Sequence, residues 1–155
     1  MAKIYGKPII LGGGGKSAPN GTKWKKSNVQ NGTFNTVYNS NGVWVAGGES
    51  GLYYSTNGKT WEQSNKTDNS FFSVYNAAGI WVAGASSTGL WCSEDGKIWS
   101  QSDRTYGTFK SVYNANGLWV AGGTSGLYYS ADGKVWTRGA GDDIISVYYA
   151  NGVWI

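Results

Sequence analysis

The 155-residue chain has no histidine, one cysteine, two prolines, one methionine and two arginines, Arg104 and Arg138. Without histidine there is no Ser-His-Asp arrangement and no imidazole metal site, so neither a metal nor a cofactor is expected. One cysteine excludes an internal disulfide framework. Cys92 stands where other repeats carry Tyr54 and Tyr129, and it reads as a small buried hydrophobe rather than a reactive thiol. Met1 to Leu11 contain no long apolar run and no cleavage pattern, so no secretory signal is expected and the reading is a cytoplasmic or virion-associated protein. No stretch approaches the roughly 18 consecutive apolar residues of a membrane span. Charge is sparse as well: 14% Asp, Glu, Lys and Arg, with a net +4. Only Lys23, Lys25 and Lys26 cluster, which falls short of the basic stripe that nucleic-acid binding requires.

What is abundant is glycine, 25 residues, with 9 tryptophans and 11 tyrosines. Disordered chains lack aromatics, so this composition points to short strands joined by tight turns. An Asx-Gly-x-x-Trp unit recurs at Asn20…Trp24, Asn57…Trp61, Asp95…Trp99 and Asp132…Trp136, with steps of 37, 38 and 37 residues between tryptophans. A fixed period of that size marks a repeat architecture.

Four sub-motifs align within each repeat. Phe34 to Tyr38, Phe71 to Tyr75, Phe109 to Tyr113 and Ile144 to Tyr148 are β-branched and aromatic runs that predict a first strand. Val43 to Gly47, Ile80 to Gly84, Leu118 to Gly122 and the shorter Val153 to Ile155 are continuous apolar runs that predict a second strand buried on both faces. Gly51 to Ser55, Gly89 to Ser93 and Gly126 to Ser130 give a third, and Thr60 to Ser64, Ile98 to Ser102 and Val135 to Arg138 a fourth. Asn41-Gly42, Asn116-Gly117 and Asn151-Gly152 join the first two strands, and the Asx-Gly units join the last two; both are hairpin signals. Nothing carries helical periodicity. Each repeat is expected to be a four-stranded antiparallel meander, and such units repeated radially are propeller blades.

Ser55…Asn57-Gly58…Trp61, Ser93…Asp95-Gly96…Trp99 and Ser130…Asp132-Gly133…Trp136 resemble the Asp-box, or BNR repeat, of sialidase-type β-propellers. The interval between Asx and Gly is one residue shorter than the strict pattern, and in the first copy Ala18 stands where the box serine belongs. The resemblance implies an all-β propeller in which the box is a structural turn, remote from any catalytic face. It implies no sialidase activity, because that family grips its substrate carboxylate with three arginines and this chain has two. The opening Met1 to Pro8 also resembles small phage or prophage tail-associated proteins.

The expected organisation is one domain over 1–155: a half-blade at 1–28, full blades at 29–65, 66–103 and 104–139, and a half-blade at 140–155. The halves seal the ring within one chain, giving four blades, or between chains, giving a homo-oligomer. An excised piece of a longer propeller is a further reading. Closure matters because an open array exposes strand edges and terminal faces.

Strict periodicity assigns the tryptophans to packing between blades. Function is sought instead in the loops that vary from blade to blade, on the face opposite the hairpin turns. They offer Lys66, Asp68, Asp103, Arg104, Tyr106, Asp142 and Asp143 as ligand-binding candidates, with Tyr106 the one aromatic there that the repeat does not require. The expected function is a non-enzymatic module that binds a glycan or a cell-surface receptor. The alternatives are an assembly scaffold that docks a protein and, last, a glycoside hydrolase, for which no carboxylate pair stands out.

Overall fold

The computed structural model describes residues 27–29, 32–139 and 141–155. The half-blade expected at 1–28 therefore lies almost wholly outside the described residues. The rest is all-β: three four-stranded antiparallel sheets and one two-stranded pair, with no helix among the described residues. The first sheet runs β1 (Phe34–Ser40), β2 (Val43–Gly48), β3 (Gly51–Ser55) and β4 (Glu62–Gln63). The second runs β5 (Phe71–Ala77), β6 (Ile80–Ala85), β7 (Leu90–Ser93) and β8 (Ser100–Gln101). The third runs β9 (Phe109–Ala115), β10 (Leu118–Gly123), β11 (Gly126–Ser130) and β12 (Thr137–Arg138), and β13 (Tyr149–Ala150) pairs with β14 (Val153–Trp154). Strands neighbour one another in chain order, so each sheet is a meander.

Two expectations are corrected. The fourth strands shrink to two residues each. The segment Ile144 to Tyr148 is not a strand: pairing begins at Tyr149, with Tyr148 and Ile155 exchanging backbone hydrogen bonds just beyond it. The reason lies in what Ile144 to Val147 touch. Ile144 donates its N–H to the Gly123 carbonyl and Val147 to the Ser111 hydroxyl, both in the third sheet. The Ile144 N–H is thereby committed to the neighbouring sheet and not to β14, whereas the Val147 bond is the one that Val74 and Val112 make from within their own strands.

The hairpin turns follow the sequence chemistry. Asn41, Asn116 and Asn151 sit at φ near +50°, each followed by a glycine near +80°, the conformation asparagine and glycine tolerate best. Ala78-Gly79 adopts the same turn without an asparagine. In each first strand one residue bulges: the register slips across Asn35, Phe72 and Lys110. A bulge bends its strand and frees groups for other partners.

The hydrophobic core lies between sheets. One cluster joins Val45 and Leu52 of the first sheet to Phe71, Val74 and Trp81 of the second, together with Trp99 from the turn before β8. The next joins Val82 and Leu90 to Phe109, Val112, Trp119 and Trp136. Each turn tryptophan buries roughly 150–250 Å², worth on the order of 4–6 kcal/mol as an upper bound at ~25 cal/mol per Å². The glycine that ends the apolar run makes this approach possible, since a Cβ on Gly47 would lie 2.8 Å from the Phe71 Cβ and one on Gly122 2.4 Å from Ile144 Cγ2.

Candidate functional site

The Ser-x-Asx-Gly turns are capped from within. In the second sheet the Asp95 carboxylate accepts the N–H groups of Lys97 and Ile98 at 2.7 and 2.9 Å, and Ser93 Oγ accepts that of Gly96 at 2.9 Å. Asn57 with Ser55, and Asp132 with Ser130, repeat the pattern with Gly58 and Gly133. Burial pushes the Asp95 carboxyl up, but the N–H groups and the serine hydroxyl outweigh it and leave it below the ordinary range. The N–H groups of Val135 and Lys134 lower Asp132 in the same way. Trp99 and Trp136 each close their turn by donating from Nε1 to the carbonyl of the turn glycine, while Trp61 is buried alongside its own. These groups are consumed by the turn.

The loop face is different. Lys66 follows β4, its ammonium lies 4.0 Å over the Trp91 ring of the next sheet, and it pairs with Asp68 at 2.9 Å. That pairing lowers the Asp68 carboxyl. Arg104 holds the equivalent place after β8. Its guanidinium is sandwiched 3.7 Å from the Tyr106 ring and 4.2 Å from the Tyr128 ring. Arg104 makes no ion pair among the described residues, and its Nε is buried without a hydrogen-bond partner. Tyr106 is 63% exposed.

A second loop braces this one, and the sequence signals it only through the 38-residue step. Between the second and third strands, the first and third sheets use Glu49-Ser50 and Thr124-Ser125, whereas the second uses Ser86-Ser87-Thr88. The added residue puts Ser87 at φ +63°, an uncommon conformation for serine. The loop is stitched to its neighbour: Gly107 donates to the Ser87 carbonyl, Gly89 to Gly107, and Ser87 to the Thr108 hydroxyl. Gln101 Nε2 donates to the carbonyls of both Thr88 and Thr105. Residues 86–88 and 103–108 thus form one braced unit that presents Arg104 and Tyr106.

The remaining candidates are not gathered there. The Asp103 carboxylate accepts the Trp136 N–H at 2.9 Å, tying one sheet to the next. Asp143 pairs with Lys110 at 3.4 Å, and Asp142 is exposed. Trp91, the stacking partner of Lys66, is one of the tryptophans that the sequence assigns to packing, and Tyr128, the partner of Arg104, is named by no sequence expectation. Cys92 is buried and burial pushes its thiol up. It lines a groove of about 700 Å³ between the outer edges of the second and third sheets, with Ile98, Gln101, Lys134 and Val135. That groove involves the turn residues and none of Lys66, Arg104 or Tyr106. No group of three or more metal-ligating residues is found among the described residues.

No family model matches the chain, and no curated protein does. Solved structures match at the level of fold. The computationally designed Ika8 protein superposes with a TM-score of 0.67 at 10% identity, over 87% of this chain and 46% of its own. The designed Ika4 protein gives 0.67 at 11% identity, over 83% and 87%. An ancestral GH74 enzyme gives 0.63 at 20% identity, over 92% of this chain and 26% of its own. The chain thus spans about half of Ika8 and about a quarter of that enzyme. These likenesses are compatible with a β-propeller.

Proposed function

We propose that the sheets are blades of a β-propeller with Asp-box-like turns, and that the protein is a non-enzymatic module binding a glycan or a surface receptor on its loop face. The observation that carries this is the Arg104–Tyr106 stack. An exposed tyrosine ring backed by a cation offers an apolar plate for a sugar ring beside donors for its hydroxyls or acidic groups. Because the 86–88 loop fixes the loop that holds both residues, little ordering cost falls on binding. The likeness to an ancestral GH74 enzyme supports carbohydrate chemistry on this fold in general, without transferring that enzyme's activity. The carboxylates support binding over catalysis, since Asp68, Asp103 and Asp143 are each engaged by a protein partner.

A glycan array tests the reading. Wild-type protein is expected to bind a defined set of glycans, with Tyr106→Ala and Arg104→Ala each losing most of the signal while keeping the native circular dichroism. Binding unaffected by both substitutions, or no binding at all, overturns the glycan assignment. The second reading is protein docking, favoured by Ile98 and Val135, each 62% exposed, which face the groove between the second and third sheets. A protein ligand lost on Ile98→Asp but kept on Tyr106→Ala would select it.

A further inference from the structure

Consecutive sheets meet through one recurring set of contacts. A first-strand hydroxyl accepts an N–H from the next sheet: Thr36 from Val74 at 3.2 Å, Ser73 from Val112 at 3.0 Å, and Ser111 from Val147 at 3.0 Å. Tyrosines stack across the same steps, Tyr38 on Tyr75 at 4.6 Å, Tyr75 on Tyr113 at 4.8 Å, and Tyr113 on Tyr148 at 5.1 Å. Each also meets the edge of the next sheet's tryptophan: Tyr38 with Trp81, Tyr75 with Trp119, and Tyr113 with Trp154, at 6.1–6.2 Å.

Among the described residues, one half of this set is left unmatched at each side of the array. On the β1 side, Val37 is 41% exposed, whereas its counterparts Val74, Val112 and Val147 are 4%, 4% and 5% exposed. Trp44 is half-buried where Trp81 and Trp119 are buried. On the other side, Ser146 carries the next hydroxyl of the series and is exposed, and Tyr148 is 55% exposed beyond its contact with Tyr113. The two faces are the two sides of one repeating interface, so each is the shape the other was built to meet.

We propose that the chain pairs head to tail with a second copy of itself, continuing this interface across two equivalent seams. At each seam Ser146 Oγ of one copy accepts the Val37 N–H of the other, Tyr148 stacks on Tyr38, and Trp44 presents its edge to Tyr148. Closure within one chain would bring the same faces together and cover Val37, which its exposure argues against. Two copies, each contributing three full sheets and the sheet begun by β13–β14, make eight. That is the upper end of the usual range of about four to eight blades, and three copies would exceed it. A head-to-tail contact whose rotation closes yields a ring instead of a filament.

Sedimentation equilibrium on the 155-residue protein tests this. Wild type is expected at twice the 16.6 kDa of one chain. Val37→Lys and Tyr148→Lys, on opposite faces, should each weaken association by about 100-fold or more, the scale of an unpaired charge placed in an apolar contact. Both positions are largely exposed in the single chain, so native far-ultraviolet circular dichroism and cooperative unfolding should persist in each monomer. Tyr106→Ala, on the loop face, should remain a dimer whatever it does to ligand binding, which separates this proposal from the glycan reading. A monomeric wild type overturns the proposal, and hydrogen exchange at the Val37 amide then reports whether the chain has closed on itself. A dimer that survives both lysine substitutions also overturns it, by placing the interface elsewhere.

Discussion

Asp103 reaches across a sheet boundary to take the backbone N–H of Trp136 at 2.9 Å. At the two earlier tryptophan turns an asparagine does this and also gives a bond back. Asn28 and Asn65 accept from Trp61 and Trp99 at 2.7 and 2.8 Å, and each donates from Nδ2 to the same residue's carbonyl at 3.0 Å. A carboxylate cannot donate, so the third tie lacks the return bond. Asp103→Asn is therefore expected to stabilise the fold by about 0.5–1.5 kcal/mol, the net worth of one hydrogen bond. Asp103→Ala should destabilise it by about 1–3 kcal/mol by leaving a part-buried N–H unpaired. Chemical denaturation of the two variants checks the pair, and equal loss in both would show that the carboxylate's charge is what matters.

Ala78 holds φ +51° in a turn where the three equivalent positions carry asparagine. A Cβ with no compensating polar group is poorly suited to that conformation. Ala78→Asn should raise stability by about 0.5–1 kcal/mol, or roughly 1–4 °C in Tm, read by thermal denaturation. No gain would mean that the turn is held from outside.

The turn carboxylates give the fold an acid limit. Asp95 and Asp132 are lowered from 3.8 in the native state, so the unfolded chain binds protons more readily than the folded one just below that value. Their contribution is complete above the ordinary carboxylate value and is lost as pH falls through the depressed native values. Asn57 caps the first turn with the same two N–H bonds and no charge. The double variant Asp95→Asn/Asp132→Asn should therefore lose about 1 kcal/mol or less at pH 7 and show a flatter stability decline between pH 4 and pH 2. Denaturation curves across that range check it; an unchanged slope would exclude these two groups as its source.

Repeats are not interchangeable at every position. Gly123 aligns with Gly48 and with Ala85, yet a Cβ on Gly123 would lie 1.8 Å from the Thr108 carbonyl oxygen. The second sheet, whose 86–88 loop is one residue longer, buries an alanine at this position. Copying that alanine into the third sheet, Gly123→Ala, should cost about 3 kcal/mol, the upper end for overpacking against backbone that cannot turn aside. Urea unfolding measures it, and a loss under about 1 kcal/mol would show that the third sheet can shift as the second does.

The strands were legible because period-two runs and Asx-Gly turns are local signals. Phe71 to Tyr75 and Ile80 to Gly84 carry their own pairing in their composition. The ties between sheets were less so. Asn65 and Trp99 are 34 residues apart, and nothing in either segment alone says that an amide will cap a distant backbone. The same distance problem sent Asp103 into a list of surface ligands when its carboxylate serves the neighbouring sheet. Ile144 to Tyr148 has the composition of a first strand and the side-chain contacts of one, but the Ile144 N–H turns to the sheet before it and only Tyr148 pairs with the end of the next run, at Ile155. Of the binding candidates, Arg104 and Tyr106 were named from sequence, while the stacking of Arg104 on Tyr128 depends on a fold-level neighbour 24 positions away.

The ties from Asn65 and Asp103 run forward, from the end of one sheet to the tryptophan turn of the next, and Asn28 ties the segment before β1 to the turn of the first sheet in the same way. No sheet can melt without exposing the tryptophan of its successor or releasing the support of its own. In a linear array of such units, opening starts where a unit has one neighbour and reaches the middle last. In an open, monomeric form such as Val37→Lys, amide protection should accordingly be graded along the chain, with β6 and β7 slowest to exchange and β13–β14 fastest. If the array is joined into a ring, the gradient vanishes and the molecule opens as one unit.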